Sequence, residues 1–101
     1  MIAAKRNKDR APTSPGELLR EEVLPSLEIS KAEFARRLGV SRQTLYDILD
    51  EKKPVTPQTA VRLGKLIGNG PFIWLSMQRN RDLWEAERTV DVSHIKTLQV
   101  A

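Results

Sequence analysis

The chain has no cysteine and a single histidine, His94, among its 101 residues. Without cysteine there is no disulfide framework and no thiolate metal site. One histidine alone makes neither a metal cluster nor a nucleophile–base pair. No Gly-rich loop follows a strand to cradle a phosphate. The acidic pairs Glu21-Glu22 and Asp50-Glu51 are sequence neighbours, and on a helix adjacent side chains diverge by about 100°, so solvated charge explains them. Catalysis, a cofactor and a bound metal are therefore not expected. No apolar run approaches the roughly 18 residues of a membrane span. The basic N-terminal residues Lys5, Arg6, Lys8 and Arg10 are followed by no apolar segment, so neither a membrane nor a secretory signal is expected and the cytoplasm is the natural location. At this length one domain with a modest core is expected.

Charge is present in both signs and unevenly placed. The net charge is +4. A basic balance favours a polyanionic partner without establishing one. Residues 15–30 are net acidic, whereas residues 1–14 and 31–70 are net basic, which suits a protein with two different faces. Residues 1–13 have no hydrophobic period and read as a flexible basic arm, either simply solvated or touching DNA phosphates or a protein partner.

From Ser14 onward the punctuation predicts five short helices, an all-α fold. Ser14-Pro15-Gly16-Glu17 fits a helix start, with Ser as N-cap, Pro at the first position and Glu closing a capping box. Leu18, Leu19 and Val23 give the apolar stripe, which Pro25 is expected to interrupt. Ser30-Lys31-Ala32-Glu33 repeats the box before Phe34, Ala35 and Leu38, and Gly39 ends that helix. Ser41 caps a third helix carrying Leu45, Ile48 and Leu49. Thr56-Pro57 opens a fourth, carrying Ala60, Leu63 and Leu66 and stopping near Gly68. Pro71 opens a fifth, rich in large apolar residues from Phe72 to Trp84. The tail 89–101 is ambiguous: Val90 and Val92 alternate as in a strand, Ile95 and Leu98 are spaced as in a helical turn, and a frayed or partner-ordered tail is the third alternative.

Residues 31–50 carry the functional signal. Ala35 is small where a second helix would cross, Gly39 permits a sharp left-handed turn, and Val40, Leu45 and Ile48 wedge between the two helices. This is a helix-turn-helix, whose second helix enters the DNA major groove. Ser41 and the free N–H groups behind it suit a phosphate. Arg42 and Gln43 sit at the tip that reaches base edges, where Arg pairs with guanine and Gln with adenine. Tyr46 suits a thymine methyl, a phosphate or packing at the rim; Asp47 suits a cytosine amine or the orientation of Arg42. Thr44 is a further backbone candidate, and Lys31, Lys52 and Lys53 are placed to straddle the phosphates. The bland alternative is a helical pair of the same shape that never meets DNA.

A wider series of residues resembles the HigA-type antitoxins within the Xre group of helix-turn-helix regulators. It comprises Pro15-Gly16-Glu17-Leu18-Leu19 with Glu22, Phe34-Ala35 to Gly39-Val40-Ser41, Val55-Thr56, Thr59-Ala60, Arg62-Leu63, Trp74-Leu75, Gln78 and Asp82-Leu83. It covers about residues 14–84. The resemblance implies an Xre/lambda-repressor-like domain over 14–88, with the helix-turn-helix at 31–50, the arm at 1–13 and a C-terminal tail at 89–101. It implies a homodimer that binds double-stranded operator DNA, represses its own operon and neutralises a HigB-like ribonuclease toxin. The sequence departs from the family pattern at three places: Ser14 stands where His is common, Arg81 where an aromatic is frequent, and Asp50-Glu51-Lys52-Lys53 lacks the usual glycine.

On this reading Phe72, Ile73, Trp74, Met77, Leu83 and Trp84 are spread too widely for one core face and are expected at a dimer interface, the alternative being that they close the core. A two-fold dimer would place half-sites about 34 Å apart. Glu17, Glu21 and Glu22 on the first helix are candidates for docking a basic toxin, against an ordinary solvated face. A stand-alone Xre-type repressor with no toxin, and a protein-interaction module that no longer reads DNA, remain as alternatives.

Overall fold

The computed structural model describes residues 10–100, and these form five helices with no strand among them. Helix α1 runs through three contiguous pieces, Pro15–Leu18, a wide π-type turn at Leu19–Val23, and Leu24–Ser26. Helix α2 spans Lys31–Leu38, α3 Arg42–Leu49, α4 Pro57–Ile67 and α5 Phe72–Thr89. Four of the five starts follow one recipe. Ser14, Ser30, Ser41 and Thr56 sit in extended backbone, and each hydroxyl accepts from the N–H three residues on, at 3.1, 3.0, 3.0 and 3.2 Å. Each satisfies one of the donors a helix start leaves unpaired. The expected reciprocal half of the capping boxes is replaced: Glu17 pairs with Arg81, and Glu33 with Arg36 and Arg37.

Pro25 does not interrupt α1. In a regular helix its ring would crowd the carbonyl four residues back, and it has no N–H to donate. The turn just before it is widened instead, with the Leu24 N–H bonding to the Leu19 carbonyl five residues away. Leu19 and Leu24 both remain buried across that turn.

The core is drawn from every helix. Leu19, Phe34, Ala35, Leu45, Leu63 and Trp74 are buried, with Leu38, Ile48, Leu49, Val55 and Ala60 around them. A fully buried Leu or Phe side chain stabilises the fold by about 1.5–3 kcal/mol. Trp74 also finds a partner for its indole, Nε1 donating to Asn69 Oδ1 at 2.9 Å. Gly39 takes φ 81°, and the N–H of Val40 reaches back to the Ala35 carbonyl at 3.1 Å, so the chain reverses into α3 within two residues. Two bonds from the resembling series fasten the rest: Val55 N–H donates to Gln78 Oε1 at 2.8 Å, and Arg62 Nη1 to the Leu38 carbonyl at 3.2 Å.

The N-terminal end differs from expectation. Residues 1–9 of the expected arm lie outside the described residues, and Pro12, assigned to that arm, is buried with its carbonyl accepting from Arg81 Nε at 2.7 Å. Beyond Thr89 the described tail is neither strand nor helix; Val90, Val92, Ile95 and Leu98 are exposed along an irregular path.

Candidate nucleic-acid interface

Helix α3 divides sharply into two faces. Leu45, Ile48 and Leu49 are buried, whereas Ser41, Arg42, Gln43 and Tyr46 are exposed. The buried face is held by α2 through the Gly39 turn and by the N-terminus of α1. The outward face is therefore presented by a rigid support, as groove readout requires.

The exposed residues are not independent of one another. The Ser41 hydroxyl caps α3, accepting from Thr44 N–H and donating to Thr44 Oγ1 at 2.9 Å, so both side chains already serve the helix start. Their backbone N–H end remains the group that suits an anion. Gln43 Nε2 donates to Asp47 Oδ1 at 2.8 Å, one helical turn away. Asp47 is only 15% exposed, and its other oxygen lies 3.5 Å from Lys53 Nζ. Asp47, expected to accept from a base or to orient Arg42, here holds Gln43 and faces Lys53. That leaves Gln43 with Oε1 and one N–H, the acceptor–donor pair that matches adenine in the major groove.

Lysines flank this face on two sides. Lys31, the first residue of α2, lies with its Nζ 6.0 Å from the centroid of the Tyr46 ring, a cation over an aromatic face. Lys52 and Lys53 are exposed in the loop after α3, and both of their N–H groups bond to the Asp47 carbonyl, at 2.8 and 3.1 Å. The structure thus gathers Lys31, Arg42, Gln43, Tyr46 and Asp47 with Lys52 and Lys53 around one helix.

A polar cluster behind that loop was not foreseen. Glu51 adopts φ 61°, the left-handed region that a residue with a Cβ seldom enters. Its Oε1 accepts from the Ser14 hydroxyl at 2.8 Å and from Arg81 Nη1 at 2.7 Å, and its Oε2 lies 3.5 Å from Arg20 Nη1. Burial pushes the Glu51 carboxyl up, but the Ser14 hydroxyl and the two guanidinium groups outweigh it and hold it below the ordinary range. Two departures from the family pattern, Ser14 and Arg81, and one residue of the glycine-free loop 50–53, Glu51, are therefore partners in one cluster. Their chain separations of 30 and 37 residues kept that from view.

The other two expected surfaces are altered. Trp74 is fully buried and belongs to the core, not to an interface, because Asn69 and the α4 side close over it. Phe72 (74% exposed), Ile73 (46%) and Leu83 (57%) remain outward on α5, with Met77 and Trp84 half-buried. Of the acidic docking candidates, Glu17 is tied to Arg81 at 3.0 Å and Glu21 to Arg20 at 2.9 Å, while Glu22 is exposed. Among the described residues no helix is long and apolar enough to cross a membrane.

Comparison with known proteins gives a consistent set of likenesses. The profile of the CENP-B N-terminal DNA-binding domain matches residues 26–56, the stretch that holds α2 and α3. The chain is 39% identical over 84 residues to the HTH-type transcriptional regulator YddM of Escherichia coli K12, across 83% of this chain and 88% of that one. It is 34% identical over 80 residues to antitoxin HigA-1 of Vibrio cholerae, across 79% of this chain and 75% of that one. In three dimensions it is similar to antitoxin GraA in complex with its operator, with a TM-score of 0.82 at 35% identity, across 97% of this chain and 100% of that one.

Proposed function

The chain belongs to the Xre-like HTH-type regulators that include the HigA antitoxins, which are regulators and not enzymes, and from that membership we propose a cytoplasmic antitoxin that represses its own operon. In this reading α3 enters the major groove, Arg42 and Gln43 meet base edges, and Lys31, Lys52 and Lys53 meet phosphates. The observation that carries it is the Gln43–Asp47 bond: a buried-side carboxylate fixes an exposed amide on a helix whose inner face is packed into the core. Preorganised side chains of this kind lose little freedom on binding.

The apolar strip Phe72, Ile73 and Leu83 supports a second copy of the chain as a partner through α5, with two recognition helices on one duplex. A basic HigB-like ribonuclease is the protein partner proposed, docking on the acidic α1. A stand-alone repressor is the second reading, favoured by one observation: Glu17 and Glu21 are already neutralised by arginines of this chain.

The test is co-purification of the tagged full chain from its own host, alongside a shift assay on DNA upstream of its gene. A stoichiometric small basic protein together with a DNA shift supports the antitoxin. A shift from a preparation free of partner supports the stand-alone repressor. No shift at all overturns the DNA-binding assignment.

A further inference from the structure

Three residues from two helices, α1 and α5, converge on Glu51, the second residue past α3. Ser14 comes from the cap of α1, Arg20 from within α1, and Arg81 from α5. Arg81 is only 15% exposed and is itself fixed, donating to the Pro12 carbonyl at 2.7 Å and to Glu17 at 3.0 Å. Arg20 also donates to the Leu49 carbonyl at 2.6 Å, at the last residue of α3. The next two residues after Glu51 are Lys52 and Lys53, and the loop is then pinned again where Val55 donates to Gln78 of α5. A residue in left-handed backbone persists when its surroundings over-determine it, and here they do so immediately ahead of two lysines.

We propose that the Arg81–Glu51 pair is a strut that positions the Lys52–Lys53 loop for phosphate contact, which makes Arg81, on a helix that does not enter the groove, a positioning residue for DNA binding. The inference rests on the DNA-binding reading above. It differs from a generic charge effect in sign. Glu51 is an acid beside a phosphate-facing loop, so on Coulomb grounds removing it strengthens DNA binding. If Glu51 serves as one end of a strut, removing it weakens binding.

The test uses Glu51→Asn, Arg81→Met and the double variant in the full chain. Asparagine tolerates the left-handed region and is too short to reach Arg81. Affinity is read by fluorescence anisotropy on a labelled duplex from upstream of the gene, over a salt series, at a temperature where circular dichroism shows every variant folded. Each single variant is expected to weaken binding roughly three- to tenfold. The salt slope should fall by about one for each lysine that no longer meets a phosphate. The double variant should be no weaker than the worse single one. Glu51→Asn binding as tightly as the parent or more tightly, with an unchanged slope, overturns the strut, as do additive losses. If Arg81→Met does not fold, Glu51→Asn decides alone. A parent chain that does not bind the duplex overturns the DNA-binding reading, and the strut with it.

Discussion

Gly16 lies directly against the carbonyl of Ile48: a Cβ built on it would stand 2.0 Å from that oxygen. The N-terminus of α1 thereby seats on the C-terminal turn of α3, closer than any side chain allows. Gly16→Ala must push α1 and α3 apart. Overpacking of this kind costs about 1–3 kcal/mol, to be read as a lowered denaturant midpoint with an unchanged m-value. An alanine variant as stable as the parent would mean that the two helices do not meet this closely.

Asn69 is exposed, and replacing an exposed residue ordinarily changes stability by less than about 0.5 kcal/mol. Its Oδ1, however, accepts a hydrogen bond from the indole N–H of the fully buried Trp74. Asn69→Ala strands that donor and is expected to cost about 1–3 kcal/mol. Asn69→Ala in a Trp74→Phe background, where no donor remains, should cost markedly less. A double-mutant cycle in urea measures the difference.

For DNA, Gln43 and Lys53 should fail differently. Gln43→Ala is expected to relax preference at one base pair of each half-site by about 1–3 kcal/mol. Lys53→Ala should weaken binding to all duplexes alike and lower the salt slope by about one. Asp47→Ala should resemble Gln43→Ala in its base preference, because the amide it holds is released. Binding arrays over single-base variants of the upstream duplex separate these outcomes.

Hydrogen bonds from Arg36 and Arg37 hold the Glu33 carboxyl down at about 2, against an ordinary value of 4.5. A depressed carboxylate favours the folded state above its unfolded pKa, and that contribution fades as pH falls through the folded value. The stability difference between parent and Glu33→Gln should therefore be constant above pH 4.5 and vanish as the pH approaches about 2. Thermal melts of both proteins across that window check the sign.

Phe72→Glu and Leu83→Glu place charge on the outward strip of α5 without touching the core. Sedimentation should show a monomer where the parent dimerises, with the melting temperature at low protein concentration little changed. A parent that is monomeric at every concentration would dismiss α5 as the dimer face.

What was legible in the sequence was local. Ser14, Ser30, Ser41 and Thr56 each act within three residues of their own position, and Gly39 within five, so spacing alone locates four helix starts and the tight turn. The outward face of α3 follows from those boundaries. What opposes each helix was not legible. Apolar residues cover a wide arc of α5, and only the packing of α4 and Asn69 around Trp74 separates the one that is buried from Phe72, Ile73 and Leu83, which are not. Asp47 lies at helical spacing from Gln43 and close in sequence to Arg42, and spacing does not choose between them. Ser14, Arg81 and the glycine-free loop that holds Glu51 read as unrelated exceptions to a family pattern because the contacts joining them span 37 and 30 residues of the chain.

The two tryptophans give the molecule a pair of built-in optical reporters. Trp74 sits in a dry core with its indole N–H bound to Asn69, whereas Trp84 is half-exposed near the outer part of α5, with the Arg88 guanidinium 3.9 Å from its ring centroid. The first should emit toward the blue and shift only when the chain unfolds. The second should emit further to the red and respond to whatever covers that helix. Folding and docking therefore separate by emission wavelength in the unlabelled protein, with Trp84→Phe identifying each band.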